Sequence, residues 1–207
     1  MGKKIIWVLF VLFAVLIGLY PVIYFIQDRT FGLLSSKSTE LLTSTFWNIG
    51  FYTHIILGGI ALLIGWTQFA PNFRNKNISI HRRIGKIYVI AVLLSSSAGI
   101  YIACFATGGW VASTGFACLG IVWFSTTLMA YISIRKNQLD LHKRMMIFSY
   151  AACFAAVTLR IWLPLLTIGM GSFVPAYRIV AWLCWVPNLL VAYWIIQQNE
   201  RRISVHA

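Results

Sequence analysis

Six long apolar runs divide the chain, at about residues 5–26, 47–70, 84–106, 115–134, 145–167 and 175–196. Each has the roughly 20 residues that a helix rising 1.5 Å per residue needs to cross about 30 Å of hydrocarbon. Inside a bilayer no water is at hand to satisfy the backbone, so a spanning segment must pair its own N–H and C=O groups. Runs of this length do so as helices. The expected fold is therefore all-α: a polytopic membrane bundle of six transmembrane helices, forming a single transmembrane domain over residues 1–207. The polar stretches between runs are too short to build a second core. The chain opens Met1-Gly2-Lys3-Lys4 ahead of its first run. That start resembles a signal peptide, but the run is too long for one and no Ala-x-Ala site follows closely, so a retained first span is expected.

Charge sets the expected orientation. The chain carries 17 Lys and Arg against 4 Asp and Glu, a formal net charge of +13. The cations cluster in alternate loops. Lys3 and Lys4 precede run one, and Arg74, Lys76, Arg82, Arg83 and Lys86 lie between or at the edges of runs two and three. Arg135, Lys136, Lys143 and Arg144 lie between runs four and five, and Arg201 and Arg202 follow run six. In the other loops Arg29 and Lys37 are offset by Asp28 and Glu40, while Thr107–Thr114 and Ile168–Val174 carry no cation. The positive-inside rule then places both termini in the cytoplasm of a cell with this chain in its plasma membrane. Loop-confined charge of this kind answers to the lipid bilayer, and no nucleic-acid partner is expected. Tyr20, Trp47, Tyr52, Trp110, Trp162, Tyr177 and Trp194 sit near run ends, as interfacial aromatic belts do. Cys104, Cys118, Cys153 and Cys184 each lie within an apolar run without a Cys-x-x-Cys pair, and read as small buried packing residues.

Within the spans, helical spacing gathers small and polar residues into stripes. Run two carries His54, Gly58, Ala61, Gly65 and Gln68; run three carries His81, Gly85, Tyr88, Val92, Ser95 and Gly99; run five carries His142, Ser149, Cys153, Ala156 and Arg160. Small residues on such stripes let helices approach closely. Arg160 stands out, because a cation inside hydrocarbon costs roughly 2.5–3.5 kcal/mol even on the forgiving insertion scale and normally turns inward toward a partner. At 1.5 Å per residue it lies roughly 27 Å from His142, while His54 lies roughly 21 Å from Gln68. His54 and Arg160 are thus expected at one depth near the outer surface, and His81 with His142 at the inner boundary. Pro164 is expected to kink the end of run five.

Two candidate sites follow. The outer one joins His54 and Arg160, with Arg178 and either Tyr101 or Tyr177 as helpers. A guanidinium beside an imidazole can hold a carboxylate, a phosphate, a quinone carbonyl or a haem propionate; the plainer reading is that Arg160 bonds carbonyls freed near Pro164. The inner one pairs His81 and His142 as axial ligands of a haem iron or another metal, with Arg82, Arg83, Lys86, Lys143 and Arg144 around them; the plainer reading is interfacial anchoring. With four acidic residues in all, hard-cation sites and two-carboxylate hydrolysis are disfavoured. The functional expectation is a redox protein with haem b between His81 and His142 and a quinone near His54 and Arg160. The alternatives are a small-anion or lipid binding or transport protein working through Arg160 and His54, and a membrane subunit without a ligand.

Two motifs carry a family resemblance. His81-Arg82-Arg83-Ile84-Gly85-Lys86-Ile87-Tyr88 resembles the His-Arg-x-x-Gly-Arg-x-Tyr signature of bacterial predicted membrane proteins grouped as domain-of-unknown-function family 2306, with Lys86 in place of the usual Arg. The segment from His142 through Arg160 to Pro164 is similar to its second signature, and His54 with Gly58 and Gln68 to its first helix. The resemblance covers about Trp47–Pro164. It implies a multi-pass membrane protein and a unit made of the three histidines and Arg160, without implying an activity. A looser similarity to transmembrane b-type cytochromes implies histidines near both faces, but the outer face offers His54 alone.

Overall fold

The computed structural model describes residues 2–28, 31–70 and 76–205. Arg29 and Arg74, which entered the loop charge pattern, lie outside the described residues. The described residues are mostly helical, with no strand among them, and six of the helical stretches are long and apolar enough to cross a membrane. Span one is α1 (Gly2–Leu19), a 3-10 turn over Tyr20–Val22 opened by Pro21, and α2 (Ile23–Ile26). A 3-10 segment, Gly32–Ser36, and the short α3 (Thr39–Thr43) follow. Span two is α4 (Thr45–Gly65) with a 3-10 tail over Trp66–Phe69. Ser44 ends α3 and begins α4, its hydroxyl accepting from Trp47 N at 3.5 Å. Spans three and four are α5 (Ile78–Ala103) and α6 (Trp110–Arg135). Span five is α7 (Leu139–Cys153) and α8 (Ala155–Met170), and span six is α9 (Phe173–Leu183) and α10 (Val186–Val205).

These helices overrun the apolar runs. The clusters His81-Arg82-Arg83 and His142-Lys143-Arg144 lie inside α5 and α7, in their first turns, rather than in loops. Backbone hydrogen bonding carries a helix past the edge of the hydrocarbon, where charged side chains reach water; Arg82, Arg83, Lys143 and Arg144 are all exposed. Helix α8 also runs on through Pro164 to Met170, where Gly171 closes it with φ +64°. The interruption in span five sits ten residues earlier, at Phe154, between α7 and α8. Span six breaks opposite it, at Cys184 and Trp185, so that Pro187 falls in the first turn of α10, where its missing N–H is harmless. The carbonyls released by these breaks are met from across the interface. Asn188 Nδ2 donates to Ala151 O at 3.3 Å and to Cys184 O at 3.0 Å, and Thr158 Oγ1 also donates to Cys184 O. Broken membrane helices are tolerated where neighbours supply such partners.

Span five is the hub. Its two halves pack against α1, α4, α6, α9 and α10. The second and third spans meet through the expected stripes in antiparallel register. A Cβ on Gly58 would lie 3.1 Å from Ser95 Oγ, one on Gly65 only 2.8 Å from the Tyr88 ring, and one on Gly85 3.4 Å from Gln68 Oε1. Span one is peripheral and comes closest to span two where Gly18 and Gly59 cross; a Cβ on Gly59 would stand 2.7 Å from Gly18 O. Cys153 and Cys184 are buried as read from the sequence, but Cys104 is exposed, because its position near the end of α5 turns the thiol outward.

Candidate functional site

The α4–α5 register places His54 against Gly99. A Cβ there would fall 2.8 Å from His54 Nδ1, so only glycine leaves room for the ring. His54 Nδ1 lies 2.9 Å from Ser95 O. A carbonyl only accepts, so Nδ1 carries the proton, and in the neutral imidazole Nε2 is left as an acceptor. Ser95 Oγ, fully buried, donates back to His54 O at 2.8 Å.

Arg160 rises from α8 into the same region. Its Nη1 donates to Ala156 O one turn below at 2.9 Å, not to a carbonyl near Pro164. The guanidinium carbon sits 4.2 Å above the centroid of the Tyr20 ring from span one, a cation–π contact. Its Nε is buried without a hydrogen-bond partner. Lys143 pairs with Asp140 at 3.2 Å and Arg144 with Glu200 at 2.9 Å, both at the end of the bundle that holds the chain termini.

His54 and Arg160 line one cavity of about 220 Å³ enclosed by spans one to six, and Tyr24, Lys37, Ser96 and Tyr177 also contribute to its wall. None of Asp28, Glu40, Asp140 and Glu200 lines it. Two cationic side chains thus face an interior that is otherwise mostly apolar and offers no carboxylate. The loop from Gly32 to Lys37 covers it. Ser36 Oγ and Thr107 Oγ1 lie 2.9 Å apart, and Lys37 Nζ donates to Thr107 Oγ1 at 3.0 Å and to the Phe105 carbonyl. Partial burial pushes the Lys37 ammonium down to about 8 from its ordinary 10.5.

The suggested helpers separate. Tyr177 lines the cavity; Arg178 does not, its Nε donating instead to Gly108 O at 2.8 Å in the turn before α6. Tyr101 is half exposed and packs against Gly50 and Phe105. Tyr20, Tyr24 and Lys37 were not singled out for the site from sequence. The one available signal was Tyr20 and Tyr24 four residues apart, on one face of span one.

The inner histidines lie two turns below a buried hydroxyl cluster. Tyr88 OH is 2.8 Å from Ser149 Oγ, which is 2.6 Å from Thr127 Oγ1. His81 and His142 each precede their partner in that contact by seven residues on parallel helices, which keeps them at similar depth. His142 Nδ1 lies 2.9 Å from Ala130 O, which leaves Nε2 for a ligand. Neither the cavity nor the cleft beside it is lined by His81 or His142. Lys143 and Arg144, expected around the haem or metal of the inner site, are engaged by Asp140 and Glu200. No cluster of three or more His, Cys, Asp or Glu side chains suited to a metal occurs among the described residues.

The family model for a predicted membrane protein, DUF2306, matches residues 51–196. The chain belongs to this family. The DUF2306 match takes in His54, His81, His142 and Arg160, whereas Tyr20, Tyr24 and Lys37 precede it. The histidine–arginine unit therefore sits in the matched region, and the aromatic and lysine side of the cavity is built by residues ahead of it. No curated protein and no solved structure matches the chain.

Proposed function

We propose that this DUF2306 protein binds a small anionic ligand, bearing a carboxylate or phosphate, in the cavity between His54 and Arg160. The observation that carries this reading is a buried guanidinium whose Nε has no partner, facing a cavity without a carboxylate. A buried charge left uncompensated costs several kcal/mol, and an anion gripped by two parallel N–H bonds removes that cost. Lys37 adds long-range attraction, and His54 Nε2 accepts from a protonated ligand oxygen or, when charged, donates to an ionised one. By positive-inside reasoning both termini are cytoplasmic, the membrane is the plasma membrane, and the cavity lies toward the outside.

The test is a titration of full-length protein in nanodiscs with butyrate. Arg160→Lys keeps a charge but loses the planar fork. It is expected to weaken binding by about 10–100-fold, the 1.5–3 kcal/mol worth of a charged hydrogen bond, while the protein stays folded by circular dichroism. Equal affinity in the variant and the wild type would remove the reading.

A second reading keeps haem b between His81 and His142 with a quinone near His54 and Arg160. The observation that favours it is the Nδ1 bond of His142 to a backbone carbonyl, the arrangement that orients metal-ligating histidines. Its test is a Soret band that shifts on dithionite reduction and disappears in His142→Ala.

A further inference from the structure

Arg160 faces two spaces. Besides the cavity, it lines a more open cleft of about 540 Å³ between the outer part of span one and α8. Ile17, Tyr24, Leu33, Leu159 and Arg160 line both, so the two spaces are neighbours with Arg160 in the wall they share. The rest of the cleft wall is Tyr20, Gly32, Leu163, Pro164, Thr167, Ile168 and Phe173, apolar apart from the Tyr20 and Thr167 hydroxyls. Pro164 is exposed and Ile168 is 80% exposed, toward the far end of a helix long and apolar enough to cross a membrane, so the cleft opens at the perimeter of the bundle beside that end. A cation at one end and a mostly apolar opening on the bundle perimeter at the other match a molecule with one charged head and a hydrocarbon tail.

We propose that the ligand of this site is a single-chain anionic amphiphile that enters sideways from the membrane. The proposal rests on the anion reading above and adds the tail and the route. About 540 Å³ is room for an acyl chain. The head meets Arg160 with its carboxylate or phosphate oxygens. The tail passes between Tyr20 and Pro164 into lipid. The loop over Gly32–Lys37 closes the aqueous side, through the Ser36–Thr107 and Lys37–Thr107 contacts.

The experiment is equilibrium dialysis of labelled butyrate, palmitate and lysophosphatidate against full-length protein in detergent. The proteins compared are wild type, Thr167→Trp, Ile168→Trp and Arg160→Gln. Thr167 and Ile168 line the cleft and not the cavity. Wild type is expected to bind a long-chain probe at least 100-fold more tightly than butyrate. Either tryptophan is expected to weaken the long-chain probe at least 10-fold and leave butyrate unchanged, while Arg160→Gln weakens all three. Whichever long-chain probe binds more tightly, the proposal is supported and the head group assigned. Equal binding of butyrate and both long-chain probes, or tryptophan variants that bind them all like wild type, overturns the amphiphile and leaves the anion reading standing. Absence of binding by every probe, or wild-type binding by Arg160→Gln, overturns both.

Discussion

Replacing Gly99 by alanine tests how His54 is held. The new Cβ falls 2.8 Å from Nδ1 and 3.0 Å from Cε1 of the ring. Restoring an ordinary contact of about 3.5 Å requires the imidazole to move by about 0.7 Å. Ser95 O lies one turn before Gly99 on the same helix, so a ring pushed off α5 also leaves its 2.9 Å bond to that carbonyl. Overpacking costs about 1–3 kcal/mol and the lost hydrogen bond about 1 more. Alanine returns up to about 1 kcal/mol of helix propensity. The net loss is about 1–3 kcal/mol, which for a chain of this length lowers Tm by about 2–12 °C. The control is Gly169→Ala in α8, where nothing lies within 4 Å of the added carbon; it should melt at or slightly above wild type. The assays are thermal melting in detergent and the ¹⁵N shifts of His54. Gly99→Ala that melts like the control, with the His54 shifts unmoved, would refute the contact on which this side of the cavity depends.

Further outcomes are expected. Lys37 should titrate at about 8, below its ordinary 10.5, by NMR of the labelled lysine. Its folded pKa is the lower one, so the unfolded chain holds more protons between those values; stability rises as pH climbs from about 8 toward 10.5, and Lys37→Met flattens that rise. Over the same window the cavity loses one of its two cations, so affinity for butyrate should fall with pH in wild type and stay flat in Lys37→Met. Ser149→Ala should cost about 1–3 kcal/mol in a melting experiment, because it strips a fully buried hydroxyl from both Tyr88 and Thr127. The exposed Ser97 bonds only within its own helix, and Ser97→Ala should stay within about 0.5 kcal/mol of wild type.

Much of the architecture was legible because the membrane leaves few options. Apolar length alone located six spans, and the stripes through His54–Gln68 and His81–Gly99 do face one another, since small residues at helical spacing serve little purpose except close approach. Helix ends were less legible. Apolarity stops where the hydrocarbon stops, whereas the helices of His81 and His142 begin earlier in polar sequence. Pro164 drew attention as a kink and lies inside a continuous α8, while the interruption at Phe154 has no proline or glycine to announce it. Its support comes from Asn188, a span away, and such pairing is visible only in three dimensions. The candidate site was half legible. A lone arginine in an apolar run signals an inward turn, and His54 was placed near it by depth. Tyr20, Tyr24 and Lys37 could not be assigned that way, because a belt tyrosine and a loop lysine look alike whether they face lipid, water or a cavity.

Crosslinking in the membrane tests the central claim most directly. In a chain whose four native cysteines are replaced, His54→Cys and Arg160→Cys are joined by a short bifunctional thiol reagent, and the yield is compared with that of His54→Cys paired with Gly169→Cys. If both side chains line one cavity, the first pair should link efficiently, while the second pair stays unlinked. Failure of the first pair to link, with both thiols shown to be reactive, would contradict the shared cavity and the anion site built on it.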